Sequence, residues 1–68
     1  MSAIDDTLEF FGSQVSLARA VGVSPQAVNQ WVTGRRPIPV RLAIRIEIIT
    51  KGKITCRQLL PHLYDKAA

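Results

Sequence analysis

The stretch Gln14-Val-Ser-Leu-Ala-Arg-Ala-Val-Gly-Val-Ser-Pro-Gln-Ala-Val-Asn-Gln-Trp-Val-Thr33 holds two helix beginnings and two helix ends in close succession. Ser13, just before it, is a good N-cap, because its hydroxyl can accept an amide N–H that a new helix leaves unpaired. Val15, Leu17, Ala18 and Val21 supply the apolar residues of the helix that follows. Gly22 then allows a left-handed turn at little steric cost. Ser24 is a second N-cap, and Pro25 at the first helical position gives up no hydrogen bond there. The second helix runs to Thr33, where Gly34 stops it. Two capped helices about three residues apart, with glycine in the turn, form a helix-turn-helix unit.

Advancing 100° per residue along the second helix, with Val28 at zero, puts Ala27 and Trp31 between roughly 260° and 300°. These residues define a buried side, and Trp31 reads as core. Asn29, Thr33, Gln26 and Gln30 fall between roughly 100° and 200°, on the opposite side. A helix face meant only for solubility usually carries Lys and Glu, and this one carries neither. Side-chain amides suit base edges: Gln and Asn can pair bidentately with adenine N6 and N7, hydroxyls can meet several bases, and the Ala27 methyl can touch a thymine methyl. The plainer alternative is an amide-rich helix face that simply meets water.

Outward from this unit the chain continues as short elements separated by Gly, Ser and Pro. A first helix from about Ile4 to Phe11 has Ile4, Leu8 and Phe11 in one stripe, with Asp5 and Asp6 opposing the positive end of its dipole and Gly12 ending it. The segment from Val40 to Thr50 fits two templates. Val40, Leu42, Ile44, Ile46 and Ile48 alternate as in a strand, whereas Leu42, Ile46 and Ile49 match a helical stripe. Helix is preferred, because Pro39 suits a first helical position, Lys51 and Gly52 suit the end, and no other strand offers itself for pairing. As a helix it would carry a second apolar stripe, Ile44 and Ile48, and so lie at the centre of the core, buried on more than one side. A last short helix capped by Thr55 would carry Leu59, Leu60 and Leu63, with Pro61 a potential break. The expectation is a single all-α, five-helix helix-turn-helix domain over residues 1–68.

The whole chain has 68 residues, a hydrophobic content of 47% and a formal charge of +4. A domain near this size has a thin core. No run of 18 apolar residues is present, which argues against a membrane span. The acidic N-terminus does not look like a secretory leader, so a cytoplasmic location is expected. Cys56 and His62 are each the only residue of their type. A disulfide within the chain is thereby excluded, and the two cannot close a four-ligand zinc site; no metal or cofactor is expected. A carboxylate pair, a phosphate-binding glycine loop and a nucleophile beside a histidine are all lacking, so an enzyme is disfavoured. Charge is segregated along the chain. Asp5, Asp6 and Glu9 fall in the first twelve residues, whereas Gly12 to Ile46 contains no acid and carries Arg19, Arg35, Arg36, Arg41 and Arg45. Such a division suits a basic side turned toward a polyanion and an acidic side turned away.

The quoted stretch resembles the helix-turn-helix of Cro-type phage regulators and the related YdaS-type antitoxin proteins. Ala18 where the helices cross, Gly22 in the turn, and Leu17, Val21, Val23, Val28 and Trp31 all fall where that pattern has them. Gly34-Arg35-Arg36-Pro37-Ile38-Pro39 and the Arg-Leu-Ala-Ile-Arg-Ile-Glu run extend the resemblance over about residues 7 to 61. It implies a Cro/repressor-like fold and a DNA-binding regulator acting in pairs on palindromic operators. Carried over residue by residue, it places Ser24, Gln26, Ala27, Asn29, Gln30 and Thr33 at bases or nearby phosphates, and Ser13 and Gln14 at the backbone. It implies that Arg35 and Arg36 grip flanking phosphates, with Arg41 a further candidate, while Arg19 fits either a DNA-facing or a solvent role. The partner is then double-stranded DNA. Since only about fifteen residues follow Lys53, any dimer is expected to use this small domain, through Ile54, Leu59, Leu63 and Tyr64, and to be a weak homodimer, formed at least on DNA. An antitoxin that masks a toxin is the alternative.

Overall fold

A computed structural model describes residues 2–61, and His62, Leu63 and Tyr64 therefore lie outside the described residues. Five helices follow one another: α1 (Ala3–Phe11), α2 (Gln14–Val21), α3 (Pro25–Val32), α4 (Val40–Ile49) and α5 (Cys56–Leu59). There is no strand among the described residues.

The local signals act as their chemistry dictates. The hydroxyls of Ser2, Ser13, Ser24 and Thr55 each accept an amide N–H from the first turn of the helix they precede. At Thr55 the cap is reciprocal, because Gln58 returns its side-chain oxygen to the Thr55 N–H at 2.9 Å. Gly22 has φ of +79°, and the amides of Gly22 and Val23 both fold back onto the Ala18 carbonyl, at 2.8 and 3.0 Å. These bonds close α2 and turn the chain into α3 within three residues, Gly22 to Ser24.

Leu17, Ala18 and Val21 from α2 meet Val28 and Trp31 from α3, and Leu42, Ala43 and Ile46 from α4 complete the centre of the core. The small Ala18 is buried where the helices approach. On α1, Ile4, Leu8 and Phe11 pack partly against this core, while Thr7 between them is fully buried and its hydroxyl donates to the Ala3 carbonyl at 2.7 Å. At the far end of α4, the buried Thr50 hydroxyl accepts from the Ile54 amide at 3.1 Å, and Glu47 accepts the Cys56 amide at 2.7 Å, tying α5 to α4.

Several expectations are corrected. The α4 segment is helical, but its second stripe is not buried: Ile44 is 47% and Ile48 70% exposed. Only the Leu42, Ala43 and Ile46 side is buried, and no element among the described residues covers the other flank. Pro39 is the cap of α4 and not its first residue; its ψ of 140° is extended, and its carbonyl accepts from Leu42 and Ala43. Val15 is exposed on α2. Leu60 lies outside α5 with φ of −130° and ψ of 60°, as the steric demand of the following Pro61 favours. Ile54 is 6% exposed and belongs to the core, and Leu59 is partly buried against it. Ile54 is thereby not available as a dimer surface, whereas Leu59 keeps part of its side chain accessible.

Candidate nucleic-acid interface

On α3 the outward face carries Gln26, Asn29 and Thr33 exposed and Gln30 half-buried. Together with Pro25 and Arg35 these residues line one open groove on the protein surface. Four uncharged hydrogen-bonding side chains thus meet one cation at the end of a helix held from behind by Val28 and Trp31, the latter 8% exposed. The Asn29 amide donates to Oε1 of Gln14 at 3.4 Å, across the two helices of the unit. This contact was not legible in the sequence, since it joins the first residue of α2 to the middle of α3 and depends on how the two helices cross.

The hydroxyl-bearing candidates are already engaged. Ser24 Oγ accepts the Ala27 amide at 3.2 Å. Ser13 Oγ accepts the Ser16 amide at 3.1 Å and donates to Ser16 Oγ at 3.1 Å. Thr33, the residue that caps the end of α3, donates its Oγ1–H back to the Asn29 carbonyl at 3.0 Å. Each retains capacity for at least one more partner, as a hydroxyl has one donor and two acceptor sites. Ala27 stands apart from the polar face: it is half-buried, packs on the core, and borders a second cleft with Val23, Gln30 and Trp31.

After Gly34, with φ of +78°, the chain turns back so that the Arg35 and Arg36 amides both donate to the Gln30 carbonyl, at 2.9 and 3.3 Å. The two arginines line different clefts. Arg35 flanks the groove of α3, whereas Arg36 borders clefts on the other side, beside Trp31 and Pro37. Arg41 is exposed in the first turn of α4, outside the α3 groove, and Arg19 is exposed on α2. Among the described residues no cluster of three or more His, Cys, Asp or Glu could hold a metal ion, and no helix is long and apolar enough to cross a membrane.

Residues 4–68 match the family described as "Bacterial toxin YdaS". The chain belongs to the YdaS family. It is similar to YdaS of Escherichia coli, whose name describes a candidate transcriptional regulator, with 42% identity over 52 residues, 76% of this chain and 53% of that one. This YdaS-family chain therefore spans about half the length of that relative. It is also similar to the regulatory protein Cro of Salmonella phage P22, with 41% identity over 63 residues and 93% of each chain covered. Among solved structures, a Cro protein from the prophage element Xfaso 1 of Xylella fastidiosa superposes with a TM-score of 0.81 at 36% identity, over 93% of this chain and 95% of that one. The all-helical Cro-like fold and the link to phage regulators are thereby shown, and these named relatives are regulators, not enzymes. The family description is of a toxin, where the resemblance in the sequence pointed to antitoxins.

Proposed function

We propose that this chain is a sequence-specific double-stranded-DNA-binding transcription regulator, a Cro-like repressor that reads its operator with α3. The observation that carries this is the exposed, uncharged face of Gln26, Asn29, Gln30 and Thr33 beside Arg35. Uncharged amides contribute nothing to non-specific attraction for phosphate, so their gathering on one rigid helix face makes physical sense where base edges are read. Ser24 and, at the flank, Ala27 are the remaining base-proximal candidates. Ser13 and Gln14 stand at the N-terminus of α2, where first-turn amides and the dipole favour a phosphate. Arg35, Arg36 and Arg41 are the candidate phosphate contacts from side chains.

Pairing on DNA follows from size. The eight residues of α3 make a helix about 12 Å long, which at 3.4 Å per base pair along the duplex spans about three to four base pairs. So short a site recurs too often in a genome to be selective, and a second copy on a symmetric half-site doubles it. Selection of bound sequences from a pool of random duplexes tests both points. The expected product is an inverted repeat with half-sites separated by about 34–36 Å or a multiple of it. A pool with no enriched sequence would overturn base reading, and a single unpaired half-site would overturn the dimer.

A further inference from the structure

We infer that Arg45, on α4, is a positioning residue for the helix-turn-helix: it clamps the exit of α2 and so holds α3 at the angle that base reading requires. The inference rests on the DNA-reading function proposed above. Arg45 falls in the acid-free basic stretch, and charge alone assigns it no particular partner. The residue is exposed, yet its guanidinium reaches across to α2, where Nη1 donates to the Val21 carbonyl at 3.2 Å across 24 positions of chain. Val21 is the last residue of α2.

The chemistry of that spot explains the contact. The last carbonyls of a helix have no partner inside it and form the negative end of its dipole. In α2 the closing amides of Gly22 and Val23 both go to Ala18, which leaves the Val21 carbonyl for a donor from elsewhere, and α4 delivers a charged one. The same nitrogen lies 3.7 Å from where a side chain at Gly22 would begin, so the guanidinium rests against the turn itself. That turn has only three residues, Gly22 to Ser24. With so short a connection, a small rotation at Val21 or Gly22 swings the whole of α3 and displaces Gln26 and Gln30 from the base edges. Phosphate contacts tolerate such a swing, because they depend on charge more than on direction.

Two readouts separate this role from the alternatives. In the free protein, amide hydrogen exchange at Val23 and Ala27 is expected to quicken in Arg45→Ala while exchange at Ile46 and Val28 in the core is unchanged. Arg45→Lys, which keeps a charged donor, is expected to restore protection. On DNA, Arg45→Ala is expected to weaken operator binding by about two- to thirtyfold, the range for residues coupled to a site without touching its ligand, and to leave the salt dependence equal to that of Lys53→Ala. Unchanged exchange at Val23 would overturn the clamp. A salt slope flatter than that of Lys53→Ala by about 0.9 would make Arg45 a phosphate contact and overturn it equally. If the parent chain prefers no duplex sequence, the DNA-reading function fails, while the exchange measurement still decides whether Arg45 holds the turn.

Discussion

Trp31 shows how one residue can be assigned from its angle alone. It shares α3 with the amides but lies beside Val28, and the structure buries it at 8% exposure. Loss of a buried tryptophan costs about 3–5 kcal/mol, a large part of what a domain this small possesses. Trp31→Ala is therefore expected to lower the thermal midpoint sharply, measurable by circular dichroism; a variant that melts like the parent and yet fails to bind DNA would place the ring on the DNA side. Ala27 was not decidable in the same way. Its angle is on the buried side and its methyl is small enough to serve a base as well, and it proves half-buried at the border of the two. Thr7 was missed because a hydroxyl reads as polar; bonded to Ala3 one turn back, it is buried at little cost.

Among the elements, what was legible was local and what was not depended on neighbours. Caps and glycine turns are decided within four residues, and the serine and threonine caps read from the sequence at 13, 24 and 55 are observed. The burial of α4 is decided by how many other helices exist to cover it, which periodicity does not contain. Ile46 and Ile48 differ by two positions and by the whole range of exposure. Ile46→Ala is expected to cost about 2–5 kcal/mol in urea unfolding, and Ile48→Ala no more than about 0.5 kcal/mol; equal costs would contradict the placement of α4. The segment after α3 turns back and is anchored to that helix, since Gln30 accepts from both Arg35 and Arg36. Replacing both arginines with alanine is expected to flatten the slope of log affinity against log salt by about 1 to 2 units, at roughly 0.9 per phosphate contact on duplex DNA. The preferred operator sequence should not change. A slope equal to that of Lys53→Ala would remove both residues from the phosphate backbone, and a single unit would leave Arg35, the one beside the groove, as the contact.

At the level of the whole molecule, the proposed function divides the work on DNA between two kinds of residue. In that reading Arg35, Arg36 and Arg41 supply attraction that is blind to sequence, and the amides of α3 supply discrimination without charge. The division itself was visible in the chain, because charge and residue type are one-dimensional facts. The bond between Gln14 and Asn29 was not, because it exists only once α2 and α3 cross. The division can be broken at one point by comparing the parent with the Gln26→Ala, Gln30→Ala double variant for affinity to the selected operator and to a random duplex of equal length, at one salt concentration. Each well-made bidentate contact is worth about 1–3 kcal/mol of discrimination. The ratio of the two affinities is expected to fall by at least about tenfold while affinity for the random duplex stays as it was. Equal loss on both duplexes, or an unchanged ratio, would contradict base reading by α3.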